Sequence, residues 1–329
     1  MKCINKRFVR VCSLLLVCSL CTISGTGCGE NRLEDAFEAD LPGIGIQTSE
    51  ESSKIPYFAS DLCVTDTDVQ DIEADTEDAL AACFFNLNEK KVLYAKNIHE
   101  RMYPASTTKI MTALVALDKG DLDAQTTVSK EAITFSESGV STAKLKEGDV
   151  LTLRQLLYAL LTVSANDAAN VIAEQIAGSQ DAFVEMMNQE AQKIGATNTH
   201  FVNANGLHSE DHYTTAYDLY LMFNAAMQHE EFLQMLQEKE YQASYQAADG
   251  TTVEAVWSTT NQFTKGDVTV PDGVTAVGGK TGTTTAAMSC LVQLFEDAQG
   301  EQYVAIILGC KERGILYQEM QTFLSNLNN

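Results

Sequence analysis

Positive charge is what this sequence lacks. Its 329 residues hold 22 Lys and Arg against 45 Asp and Glu, a formal net charge of −23. Four of the basic side chains, Lys2, Lys6, Arg7 and Arg10, fall in the first 28 residues, where there is no acidic one. The remainder therefore carries 18 basic against 45 acidic groups, a net of −27. Nucleic-acid binding is excluded on that ground, because phosphate recognition needs a basic surface. Such charge keeps a chain soluble. An anionic substrate would have to be held by local cations against an unfavourable background field. Cysteine is scarce wherever folding takes place: five of the nine lie in the first 28 residues, leaving Cys63, Cys83, Cys290 and Cys310. Four cysteines allow three pairings. Cys83, Cys290 and Cys310 each sit in a strand-like apolar run, where cysteine behaves as a small buried hydrophobe, and no bridge is predicted. His208 and His212, with Asp211 between them, are the one arrangement that invites a metal. They follow the turn-like Asn203-Ala204-Asn205-Gly206-Leu207, so the two rings need not share a face. Neither a metal nor a cofactor is expected.

The apolar stretch at residues 11–23 is too short to span a bilayer comfortably, and behind its basic start it reads as a secretory signal. Ser24-Gly25-Thr26-Gly27 then leads to Cys28, which resembles the lipidation site of bacterial lipoproteins, although Gly25 stands where a larger aliphatic residue is usual. Lipid on Cys28, plain cleavage nearby and an uncleaved anchor are the three readings, the first preferred. Residues 1–28 are thus expected to be a signal peptide or lipoprotein signal. Residues 29–57, acidic and turn-rich, are expected to be a flexible linker. Residues 58–329 would form the folded domain on the outer face of the cytoplasmic membrane, or secreted. A second acidic run at residues 66–78 reads as an insertion or an extended arm.

Within the folded part, residues 82–87 and 91–94 read as paired strands around a turn at 88–90. Residues 151–163, 167–177 and 180–194 read as helices, the last with Phe183, Met186, Met187, Ala191 and Ile194 on one stripe and Gly195 as its stop. Residues 274–279 lead into another strand, 288–295 and 303–308 form a hairpin, and 318–327 close as a helix. Strands at both ends with helices between them predict a mixed α and β fold. Its parts would be an antiparallel, about five-stranded sheet flanked by helices, a helical lobe, and a cleft between them.

The most informative stretch is Ser106-Thr107-Thr108-Lys109. The apolar run after it has helical spacing, and Pro104 and Ala105 lead in. That places Ser106 near a helix N-terminus with Lys109 one turn along on the same face. A serine hydroxyl needs a base within hydrogen-bond reach to act as a nucleophile. A lysine three residues on supplies one if burial or a second cation keeps its amine unprotonated. The helix N-terminus also favours negative charge beside the serine. Alone the pattern is weak, since a chain this long holds about one by chance. Ser141-Thr142-Ala143-Lys144 is a second match. The polar, glycine-broken Leu145-Lys146-Glu147-Gly148-Asp149 follows it, so it reads as a chance match in a loop or edge strand.

Two further motifs complete a set: Ser164-Ala165-Asn166 and Lys280-Thr281-Gly282. Each has a plain alternative. Ser106, Ser164 or Asn166 could merely cap a helix, and Gly278-Gly279-Lys280-Thr281-Gly282 could be an ordinary turn. Taken in order, Ser-x-x-Lys, Ser-x-Asn and Lys-Thr-Gly resemble the signature of penicillin-binding proteins and serine β-lactamases. Lys91-Val92-Leu93-Tyr94-Ala95-Lys96-Asn97, Gly206-Leu207-His208 and His212-Tyr213-Thr214-Thr215-Ala216 are similar to one branch, the low-molecular-mass serine D-alanyl-D-alanine carboxypeptidases. The resemblance covers roughly residues 80–325.

That resemblance implies a β-lactamase/transpeptidase-like fold and a role for each matching position. Ser106 would attack the carbonyl between two D-alanines and form an acyl-enzyme, and Lys109 would take its proton. Ser164 would relay a proton to the leaving amine, and Asn166 would hold the substrate amide. Lys280 would add positive charge beside Lys109 and the substrate carboxylate, and Thr281 would bind that carboxylate. The N–H groups of Ser106 and Thr283 would form the oxyanion hole. Gly282 and the Gly278-Gly279 pair would leave room for substrate backbone. The implied partners are peptidoglycan stem peptides, and β-lactams as covalent inhibitors. Tyr217 departs from the pattern, standing where an arginine is usual before Asp218. In Gly309-Cys310-Lys311-Glu312-Arg313 the arginine is a candidate for carboxylate binding, whereas the next expected basic position is Leu316. Relatives often add a second β-rich domain and a tail helix. This sequence stops at Asn329, which shifts the expected attachment to the N-terminus. Two alternatives stand beside the carboxypeptidase. One is a β-lactamase, whose Glu-x-x-Leu-Asn pattern is missing, Glu185-Met186-Met187-Asn188 being nearest. The other is a non-catalytic sensor lipoprotein.

Overall fold

The structure is a computed structural model and describes residues 59–327. The expected signal, with Cys28, and the expected linker over residues 29–57 lie outside the described residues. The acidic run at 66–78 is an extended arm. Two of its residues, β1 (Val69–Gln70), pair with β3 (Lys91–Lys96), which in turn pairs with β2 (Ala81–Asn86). Further along the arm, Asp75 N–H donates to Thr322 Oγ1 and Asp78 N–H to Glu319 Oε1.

Helix α1 (Lys109–Lys119) follows the first strands, and β4 (Gln125–Thr127) and β5 (Val150–Thr152) lead to α2 (Leu153–Leu161). The helix expected at 151–163 thus begins two residues later than expected. Thr152 closes a strand and caps the helix at once: its Oγ1 accepts from Gln155 N–H, and Gln155 Oε1 accepts from Thr152 N–H. This capping box satisfies two otherwise unpaired donors. The chain continues through α3 (Asn166–Ala177), α4 (Gln180–Lys193), α5 (Ala216–Ala226) and α6 (Glu230–Gln237). The hairpin β6 (Glu240–Gln246) and β7 (Thr252–Ser258) comes next, then a short α7 (Gln262–Lys265). The chain closes with β8 (Thr275–Thr284), β9 (Met288–Glu296), β10 (Gln302–Cys310) and α8 (Arg313–Leu324).

The main sheet has the order β1-β3-β2-β10-β9-β8 and is antiparallel throughout. It is the expected five-stranded sheet with the two-residue β1 added at one edge. A second sheet, β4-β5-β6-β7, was not expected from the sequence. The strand period of two sends side chains to both faces of the main sheet. Cys83 and Phe85 join the large core beneath the helices, while Ala82 and Phe84 join a second core under α8. Phe84 stacks on Phe323 of α8 with ring centroids 5.2 Å apart. Burying a ring of this kind contributes about 2–3 kcal/mol. The helix expected at 318–327 in fact starts at Arg313, and Leu316, Tyr317 and Met320 pack on the sheet. On the other face α5 lies between the sheet and α1. Residues 109–116 of α1 are all buried, which makes it the central post of the helical lobe. Cys63, Cys83, Cys290 and Cys310 are free and buried.

Candidate active site

The chain enters α1 through a 3-10 turn, Ala105–Thr108. Side chains three apart eclipse in such a turn, so Lys109 comes to lie over Ser106, with Nζ 2.9 Å from Oγ. The turn is held under strain. Ala105 has φ +48°, a conformation that costs a non-glycine residue about 1–2 kcal/mol. Thr107 Oγ1 donates to the Pro104 carbonyl and Thr108 Oγ1 to the Ala105 carbonyl.

Lys109 is fully buried. Its Nζ donates to Asn166 Oδ1 at 2.7 Å and to the Asn205 carbonyl. Both partners can only accept. A neutral amine has two N–H bonds and one lone pair. With both N–H bonds committed, the lone pair is left for the Ser106 hydroxyl proton. Burial holds the Lys109 amine well below its ordinary value; Lys280 pushes it further in that direction and Asp167 opposes. The neutral form that this geometry accommodates is thus the form that the surroundings favour.

Ser164 takes φ +60°, uncommon for a side-chain-bearing residue, just before α3. Lys280 Nζ donates to its Oγ and to the Thr281 carbonyl, each at 2.9 Å. Burial alone brings Lys280 down to about 7. Thr281 Oγ1 lies 2.6 Å from Thr260 Oγ1, and Arg313 Nη2 donates to Thr283 Oγ1 at 3.3 Å. Ser106, Ser164, Asn166, Thr281, Gly282, Thr283 and Arg313 line one cleft of about 310 Å³, with the two lysines behind its floor. All the expected catalytic and binding positions of the folded domain are therefore brought together.

The glycines do a different job from the one expected. A Cβ at Gly282 would stand 2.9 Å from the Pro104 carbonyl and 3.0 Å from Ser106 N. Gly279 is likewise filled by Val292 and Gln293, and Gly278 by Leu236. At Gly282 the space admits the protein's own backbone, so β8 can press against the turn that carries Ser106. Several contributors had no sequence signal. Thr260 is one, and the Asn205 carbonyl is another, presented by a turn whose side chain is fixed by Asn170 and Leu207 N–H. The loop at 137–141 forms one wall of the cleft. The second Ser-x-x-Lys match falls in this loop region: Ser141 and Lys144 are both exposed and nonhelical. The Ser141 carbonyl accepts from Asn166 N–H, and the Asp167 carboxylate accepts from Ala143 and Leu145 N–H. Leu316 is buried in the core under α8. Tyr217, at the departure from the usual arginine, donates to the Cys63 carbonyl and lines no part of the cleft.

His212 supports the turn that carries Ser106. Its Nδ1 accepts from Val202 N–H, so Nε2 carries the proton and donates to Thr108 Oγ1 at 2.8 Å. Burial, aided by His200, Lys109 and His208, lowers its pKa to about 3. The unfolded chain would titrate near 6.5, so between these values it binds a proton that the folded chain does not. His212 therefore contributes its full stability above pH 6.5 and loses it as pH falls toward 3. At pH 5 the loss is about 2 kcal/mol. Urea titrations of wild type and His212→Gln are expected to differ by a shrinking margin from pH 7 to pH 5; a constant margin would show that the ring is not held neutral.

Comparison with known proteins gives the same reading. Residues 68–312 match the family described as D-alanyl-D-alanine carboxypeptidase, peptidase S11. D-alanyl-D-alanine carboxypeptidase DacF of Bacillus subtilis is 39% identical over 156 residues, 46% of this chain and 40% of DacF. The match thus spans less than half of that relative. DacB2 of Mycobacterium tuberculosis is 35% identical over 242 residues, 73% of this chain and 78% of DacB2. The crystal structure of the Streptomyces K15 DD-transpeptidase superposes with a TM-score of 0.71 at 28% identity, covering 77% of this chain and 98% of that one. With a buried lysine set against its serine and a match over most of its folded length, the chain belongs to the peptidase S11 family of D-alanyl-D-alanine carboxypeptidases.

Proposed function

We propose that the chain hydrolyses the terminal D-Ala-D-Ala bond of peptidoglycan stem peptides through an acyl-enzyme on Ser106, and that β-lactams acylate the same serine. The observation that carries this is the Lys109 amine, buried, with two acceptor-only partners and 2.9 Å from Ser106 Oγ. As Ser106 attacks, Lys109 takes its proton. Negative charge develops on the substrate oxygen, where the N–H groups of Ser106 and Thr283 would receive it. One such donor contributes about 3 kcal/mol to the transition state. Ser164, bonded to Lys280, returns a proton to the departing D-alanine amine. The carboxylate of that D-alanine is received by Thr281, with Arg313 and Lys280 supplying charge. Water then releases the acyl group. Residues 1–28 would direct the chain across the cytoplasmic membrane, with lipid on Cys28 and residues 29–57 as a tether, which brings the cleft to its substrate.

Mass spectrometry of the protein taken from its native membrane after exposure to a labelled penicillin tests both parts. The expected adduct lies on Ser106, the expected lipid on Cys28, and a D-Ala-D-Ala peptide should yield free D-alanine. A label on another residue, or no D-alanine released, would overturn the assignment.

A further inference from the structure

The cleft lining contains one acidic side chain, Glu137, and one exposed basic side chain, Arg313. They belong to opposite walls. Arg313 opens α8 on the sheet side beside Thr283. Glu137 lies in the loop at 137–141 on the helical side, next to the segment that carries Ser164 and Asn166. Among the described residues the Glu137 carboxylate has no ion pair and no hydrogen bond. The wall it stands on is fixed at both ends. Upstream, Asn170 Nδ2 donates to the Ala132 carbonyl. Downstream, Asn166 N–H holds the Ser141 carbonyl, and Asp167 holds two further N–H groups. The intervening turn is open, for Gly139 has φ +77° and no neighbour within 4 Å of a Cβ position.

The cleft therefore has a polarity: cations where the leaving residue's carboxylate is received, and an unpaired anion on the acyl side. On the carboxypeptidase reading above, we infer that Glu137 selects acyl donors whose residue before D-Ala-D-Ala carries a free side-chain ammonium. A cross-link through that amine would turn it into an uncharged amide and remove the attraction. Glu137 would thus favour stems whose own side-chain amine is not yet joined. The ion pair would form at a solvent-accessible rim, where such pairs contribute up to about 1 kcal/mol, or about fivefold.

The test compares two peptides ending in Lys-D-Ala-D-Ala, one with the lysine side chain free and one with it N-acetylated. Wild type should favour the free amine by about fivefold in kcat/KM, through KM, and the preference should shrink in about 0.5 M salt. Glu137→Gln should abolish the preference while leaving the acetylated peptide unchanged, and Glu137→Lys should invert it. Equal use of both peptides by wild type would sink this inference alone. A Glu137→Gln variant that loses both peptides together would make the residue structural or water-activating, and would also overturn it. Hydrolysis of neither peptide by wild type would remove the carboxypeptidase reading and the inference with it.

Discussion

Lys109→Met is expected to slow acylation of Ser106 by about 10²–10⁴-fold, the contribution of a well-placed general base. The unbranched methionine fills most of the lysine's volume, so the fold should survive. It leaves Asn166 Oδ1 and the Asn205 carbonyl without their donor, at about 1–3 kcal/mol each. The burial cost of the amine disappears with it and offsets part of that loss. Stopped-flow acylation by a chromogenic penicillin reads the rate, and circular dichroism checks the fold. Lys109→Arg separates two roles that Met removes together. A guanidinium keeps the positive charge but stays protonated at any working pH, so it cannot receive a proton. If Lys109 is the base, Arg should be as inactive as Met. An Arg variant that acylates within about tenfold of wild type would reduce Lys109 to an electrostatic aid and leave Ser106 without its base.

Much of this site could be read from the sequence because its chemistry depends on short spacings. Ser106 and Lys109 lie one helical turn apart, and local geometry alone brings them together. The Ser164 and Lys280 motifs lie far away in sequence, and only their resemblance to a known set tied them to Ser106. What stayed hidden was supplied by backbone or by tertiary packing. The carbonyl of Asn205 completes the lysine's hydrogen bonds, and a carbonyl has no side-chain identity to recognise. Thr260 meets Thr281 because α7 packs beside β8, a contact with no pattern in either segment. The β6–β7 hairpin does alternate, with Tyr241, Ala243 and Tyr245 turned inward and polar residues outward. Its apolar residues are few and broken by charged and polar ones, which left the segment without a strand assignment. The early start of α8 was masked by Gly314, a poor helix former near the first turn.

Gly206→Ala should be among the most damaging single-methyl additions in the chain. Two effects fall on one position. Gly206 has φ +84°, which costs an L-residue about 1–2 kcal/mol. Its Cβ would also stand 1.9 Å from the Ala105 carbonyl oxygen and 3.0 Å from Ser106 N. The obstructing atoms are backbone at the mouth of α1, and no rotamer change can clear them. Either the turn at 203–206 lifts away or the turn that carries Ser106 moves. The first withdraws the Asn205 carbonyl from Lys109, and the second displaces Ser106. Gly195 provides the control. Its φ of +88° is almost the same, but the nearest atom to an added Cβ is 3.8 Å away. Gly195→Ala should therefore cost only the backbone strain, and Tm should fall by a few degrees. Gly206→Ala should cost at least about 4 kcal/mol, about 10 °C in Tm, with acylation lost in whatever fraction remains folded. If the two variants melt together and acylate alike, the close approach between this turn and the serine does not exist, and the lysine's third partner goes with it.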